Sequence, residues 1–86
     1  KLDSNFNKLL LNFLDILEAN NEWEKENIEK EIKLFISNNK LSFPLFGKPL
    51  RLTLINSENG PSISDIFYIL DKKNSVQRIK NYITEI

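Results

Sequence analysis

The sequence predicts an all-α fold, a compact bundle of about five short helices. Large apolar residues recur three and four positions apart through most of the chain, the spacing that lines one face of a helix. Short polar links separate these stretches, as short connections join packed helices. The one segment that reads as a strand, residues 50–55, has no second strand to satisfy its backbone groups.

In residues 4–18 the stripe is Phe6, Leu9, Leu10, Phe13, Leu14 and Leu17, and Asp3 or Ser4 can accept the free N–H groups at its start. Leu11 and Ile16 widen the stripe, so this helix is central or faces a second partner. Ala19-Asn20-Asn21 ends it, asparagine being tolerated in a left-handed C-terminal position. A second helix opens at Trp23-Glu24 and runs to about Asn38, burying Ile28, Ile32, Phe35 and Ile36. Glu24, Glu26 and Glu29 favour its positive N-terminus, and Trp23 stands where a hydrophobic staple against Ile28 would. Glu29 and Lys33 are an i, i+4 pair on the wet face, and the acidic run reads as a solvated helix surface, not a metal site.

After Asn38-Asn39-Lys40 the pattern breaks. Ser42 or Phe43 starts a helical turn, because Pro44 suits the first helical position, and Gly47-Lys48-Pro49 has the look of a turn. The segment 50–55 alternates and is rich in strand formers. Helical spacing also fits it, with Phe46, Leu50, Thr53 and Leu54 on one face, and helix is the expectation. Residues 56–60 form a polar turn. Ser62 with Asp65 three residues on then begins a fourth helix with the stripe Ile63, Ile66, Phe67 and Leu70. Asp71-Lys72-Lys73-Asn74 is a link, and Asn74 followed by Gln77 suits the start of a fifth helix, with Val76, Ile79, Ile83 and Ile86 facing inward.

Eighty-six residues make a single domain, 1–86, that buries roughly 60–65% of its unfolded surface. The chain begins at Lys1 without a methionine, so a piece of a longer protein is expected. The sequence contains no cysteine, which removes disulfides and thiolate metal sites and fits a reducing cytosol. It also lacks histidine, the commonest general base and metal ligand at neutral pH. There is no Gly-rich phosphate loop, no nucleophile–base pair and no metal-ligand cluster, so no catalytic residue and no metal ligand is assigned. No apolar run is long enough to cross a bilayer. Twelve basic residues balance twelve acidic ones, against a non-specific nucleic-acid binder. The balance is uneven along the chain: six Lys against eight Asp/Glu in residues 1–43, and six Lys/Arg against four Asp/Glu in residues 44–86.

The stretch 49–63 lies in the basic half. Arg51 is framed by large apolar residues, and a polar turn leads through Gly60-Pro61 into a helix start. A fixed cation, a ring of backbone N–H groups, a rigid proline and an aliphatic suit an unstacked base carrying some negative charge, such as one in a single-stranded RNA loop. A capped turn between packed helices with a surface arginine has the same composition.

The order Pro49-Leu50-Arg51, an aliphatic stretch, a polar turn, Gly60-Pro61, Ile63, then Phe67 and Leu70 resembles the C-terminal anticodon-binding domain of bacterial-type glutamyl-tRNA synthetases, which are class I aminoacyl-tRNA synthetases. In that family a Pro-Leu-Arg helix is followed by a Gly-Pro or Thr-Pro turn and a helix ending in Leu-Gly-Lys. The likeness runs from Trp23 past Arg78. It implies that Arg51 faces the anticodon loop, that Gly60 and Pro61 lie against its first letter, and that Ile63 packs on the same base; Lys48 completes the RNA-binding set. It further implies a partner tRNA accepting glutamate, with glutamine tRNA a further candidate. ATP and magnesium would be used by a catalytic domain elsewhere, so this segment would be a non-catalytic part of an ATP-dependent glutamate–tRNA ligase. A cytoplasmic monomer with no membrane partner is expected. The sequence departs from the family at Leu54-Ile55-Asn56, where Leu-Thr-Gly is usual, at Asp71, where Leu-Gly-Lys has glycine, and at Gly60, where other members have threonine. These departures bear on which anticodon is accepted. Two other readings remain at this point: a helical protein–protein interaction module with no RNA role, which would expose an apolar groove, and a structural cap of a larger enzyme.

Overall fold

The structure, a computed structural model, describes residues 4–84. The expected cap at Asp3 and the inward placing of Ile86 lie outside them. All regular structure among the described residues is helical: α1 (Ser4–Ala19), α2 (Lys25–Asn38), α3 (Phe43–Ile55) and α4 (Ile63–Thr84). α4 is the hub and packs against each of the other three.

One phenylalanine from each helix meets at the centre. The Phe13 ring lies 5.0 Å from Phe35, 5.4 Å from Phe46 and 6.1 Å from Phe67, in tilted or edge-on pairs that suit the aromatic quadrupole. Each of these rings occupies a stripe position in its helix, so the 3.6-residue period alone delivers them to one point. Leu10, Leu17, Ile28, Leu50, Leu54 and Ile79 close the core around them. Leu11, which widens the first stripe, is instead half exposed.

Segment 50–55 is helical, as the spacing of Phe46, Leu50 and Leu54 requires; all three are buried. The helix also runs through Gly47-Lys48-Pro49, where a turn is expected from composition. Pro49 lacks the N–H that would bond the preceding turn, yet the helix continues because its buried face is already packed. Thr53 Oγ1 donates back to the Pro49 carbonyl at 2.9 Å. Ser42 is the N-cap, its hydroxyl accepting from Leu45 N–H.

The C-terminal part differs from expectation in number: among the described residues there are four helical elements, not about five. Residues 63–84 form an element of two helical arms that meet without a link at Asp71, whose φ of 67° and ψ of 173° are non-helical. The predicted fourth and fifth helices are its two arms. The cap of the second arm is Asp71, not Asn74: Asp71 Oδ1 accepts from Asn74 N–H at 2.9 Å.

The other helix ends follow local chemistry. α2 closes with Lys40 at φ 54°, Leu41 N–H bonding the Ile36 carbonyl and Lys40 N–H that of Ser37, a Schellman arrangement. α3 closes on Asn56 at φ 58°, in the left-handed region where the resembled family has glycine. α1 and α3 have no basic residue in their last turns. Both borrow one from α4: Lys72 Nζ donates to the carbonyls of Glu18 (2.9 Å) and Asn20, and Arg78 Nη1 donates to the Leu54 carbonyl at 2.6 Å. Cations placed at helix C-termini offset the orphan carbonyls and the dipole.

Trp23 occupies the position of a staple before α2, but its recorded contacts go to α4. Its ring stands edge-on to Phe67 at 6.0 Å, and Nε1 donates to the Phe67 carbonyl at 3.0 Å. That carbonyl lies in the last turn of the first arm and also accepts from Ser75 Oγ across the break.

Candidate nucleic-acid interface

Residues 56–62 join α3 to α4, and their shape is set at both ends. Asn56 turns the chain out of α3. At the far end Ser62 caps α4, its hydroxyl accepting from Asp65 N–H at 3.3 Å, in the predicted spacing. Ser57 Oγ stabilises the middle of the turn through bonds to the backbone of Asn59. Gly60 has φ 148°, which an L side chain rarely adopts, and a Cβ there would stand 3.2 Å from Ile55 Cδ1. The torsion is what favours glycine; a Cβ would also need Ile55 Cδ1 to give way by a few tenths of an ångström.

Arg51 and the turn are directly connected. Arg51 Nε donates to the Pro61 carbonyl at 3.1 Å, which ties the middle of α3 to the residue before the α4 cap. This bond orients the guanidinium through Nε. Its Nη groups make no hydrogen bond to the described residues, and Arg51 remains partly exposed. Gly60 and Pro61 are exposed beside it. Lys48 lies three residues before Arg51, on the same side of α3, and is exposed without an ion pair to the described residues. Arg51, Lys48, Gly60 and Pro61 thus form one exposed set.

Ile63 does not join them. Its side chain is 2% exposed and belongs to the core, so it presents no apolar surface to a base. The helical stripe of α4, which the same spacing predicts, takes precedence: the first buried position of a packed helix is held by the interior.

The C-terminal cations are largely engaged. Lys72 and Arg78 cap helices, and Lys80 pairs with Glu18 at 3.0 Å. The sequence reading missed these capping roles. The available signal was the absence of any cation or glycine at the ends of α1 and α3. Among the described residues no group of three or more carboxylates could hold a metal, and no helix is long and apolar enough to cross a membrane.

The all-helical domain sets the Arg51 guanidinium beside an exposed Gly-Pro turn, and comparison with known proteins supplies its class. Residues 1–83 match the family described as "Anticodon binding domain", and the chain belongs to that family. Among similar curated proteins are "Glutamate--tRNA ligase" of Chlorobaculum parvum, 35% identical over 92% of the chain, and that of Mesoplasma florum, 43% identical over 69%. "Glutamate--tRNA ligase 1" of Aliarcobacter butzleri is 38% identical over 84% of the chain. The chain covers 16%, 12% and 16% of these three proteins, so it corresponds to a small part of each. No solved structure gives a significant match.

Proposed function

We propose that this chain binds the anticodon loop of tRNA as the anticodon-binding part of a glutamate–tRNA ligase, with Arg51, Gly60, Pro61 and Lys48 as its contact set. The Arg51–Pro61 bond is the observation that carries the reading. A guanidinium held by Nε keeps its Nη groups for a base edge or phosphate, and the proline it holds offers a stiff apolar surface to the same base. Membership of the anticodon-binding family and the names of the relatives support the choice of RNA.

Activation of glutamate with ATP and magnesium belongs, on this reading, to another region of the full-length protein. The protein acts as a cytoplasmic monomer on glutamate tRNA, and on glutamine tRNA where the altered turn accepts its first anticodon letter.

The test is binding of the full-length protein to an RNA hairpin bearing the glutamate anticodon loop, beside hairpins with the first letter changed. Preference for the cognate loop supports the reading. Equal binding to all loops would contradict it.

A further inference from the structure

We infer that a second nucleotide of the same RNA strand lies in the groove between the end of α3 and the second arm of α4, with its phosphate on Arg78 and its base or ribose against Tyr82. This rests on the anticodon-binding reading and extends it to residues that the reading does not use.

The groove is about 570 Å³ and is lined by residues 52–56 of α3 and its cap together with Arg78, Asn81 and Tyr82. That volume is ample for one nucleotide unit. Its charge sets it apart. Among the described residues Arg78 is the one charged residue of the lining, whereas four other grooves on the described surface each include at least one glutamate. Among the described residues of its lining a polyanion meets no carboxylate.

The two side chains that would meet the nucleotide are anchored. Arg78 Nη1 is anchored on the Leu54 carbonyl at 2.6 Å, which orients the fork while using one of its five N–H donors. The remaining donors make no hydrogen bond to the described residues, and such a fork matches phosphate geometry. The Tyr82 ring is held at both ends, its hydroxyl donating to Asn7 Oδ1 at 2.7 Å and its edge set against Phe6 at 6.4 Å. A fixed, half-buried aromatic is a packing surface for an unstacked base.

Position supports the strand's path. Asn56 belongs both to the groove and to the turn, and Gly60 follows four residues later, at most about 14 Å of chain away. One strand can therefore touch Gly60-Pro61 and the groove in succession.

The experiment uses the full-length protein, the glutamate anticodon hairpin and a salt titration of its affinity. Arg78→Gln keeps a donor for the Leu54 carbonyl but removes the charge. Asn81→Asp leaves the Arg78 cap intact and places a carboxylate in the groove. The proposal expects both to bind roughly three- to tenfold more weakly at moderate salt. For Arg78→Gln the slope of log affinity against log salt should fall by about 0.7, the loss of one phosphate contact on a single strand. Melting temperature reports any capping effect separately. If both variants fold and bind as the unaltered protein does, with unchanged slope, while Arg51→Ala weakens binding, the groove is not a nucleotide site and the anticodon reading stands. If the unaltered protein shows no preference for the loop, both fail. Should Arg78→Gln not fold, Asn81→Asp decides alone.

Discussion

Arg51 on α3 donates through Nε to the carbonyl of Pro61, so the cation and the turn it serves are one mechanical unit. A helix and a loop that move independently could not hold a guanidinium and a proline ring against the same base. The bond gives Arg51 a structural share in the turn as well as a proposed RNA contact.

Gly60 sets the shape of that unit. Replacing it with alanine forces a side chain into φ 148° and against Ile55 Cδ1, with an expected loss of about 1–3 kcal/mol. Threonine, the residue of other family members at this position, should cost at least as much here. Urea unfolding of both variants checks this. Unchanged stability would mean that the turn relaxes into another path.

Trp23 is the link between the start of α2 and the break in α4. Trp23→Ala should destabilise by roughly 2–4 kcal/mol, and Trp23→Phe, which keeps much of the packing on Phe67 but removes the Nε1 donor, by about 1 kcal/mol. RNA affinity should be unaffected at temperatures where the variants are folded. A fall in affinity without a fall in melting temperature would move Trp23 to the binding surface.

Asp71 combines a strained torsion with a cap. Asp71→Ala loses the bond to Asn74 N–H and keeps the positive φ, for an expected loss of about 1–2 kcal/mol. Asp71→Gly also loses the cap but relieves the torsion, so it should lie within about 1 kcal/mol of the unaltered protein. Chemical denaturation of the two variants side by side gives the order. Alanine more stable than glycine would show that Asp71 is not strained.

The Asp65 carboxyl ties stability to pH. Its carboxyl is held below the ordinary value by Lys25, which bonds it at 3.1 Å, and by the Ser62 hydroxyl. A carboxylate whose pKa is lower folded than unfolded contributes stability above its unfolded value and loses it as pH falls through the folded one. This contribution should therefore be complete at neutral pH and disappear below about pH 4. The pair is exposed, so the effect is small and screened by salt. Denaturation midpoints at about pH 6 and about pH 3 should differ less in Asp65→Asn than in the unaltered protein, and an equal difference would contradict the assignment.

Periodicity made the helices legible, including α3 against its strand-like composition, because buried positions such as Phe46, Leu50 and Leu54 repeat at the helical spacing whatever the local propensity. The Ser62–Asp65 cap was readable for the same reason: it is local. Long-range chemistry was not. The ends of α1 and α3 lack a cation of their own, but nothing adjacent to Glu18 or Leu54 singles out Lys72 and Arg78 as the residues that supply it. The joining of two arms at Asp71 was hidden because aspartate in an extended, positive-φ conformation has no sequence signature, whereas glycine would have. In the candidate site Arg51, Gly60 and Pro61 were singled out by their order, and the fold brings Arg51 to the Gly60-Pro61 turn. The burial of Ile63 was not settled by that order, since one spacing serves both a core stripe and a base contact.

The central claim is that Arg51 reads the anticodon loop. A bidentate base contact is worth about 1–3 kcal/mol, roughly ten- to a hundredfold in the tRNA specificity constant. Lysine keeps the charge but lacks the planar fork and the Nε donor to Pro61, so Arg51→Lys should resemble Arg51→Ala more than the unaltered protein. Aminoacylation by the full-length enzyme is measured with cognate tRNA and with a tRNA altered in its anticodon, for the unaltered protein and both variants. The account predicts that both substitutions collapse the preference between the two tRNAs while leaving the fold intact. If Arg51→Ala keeps the full preference, Arg51 holds the turn and reads nothing.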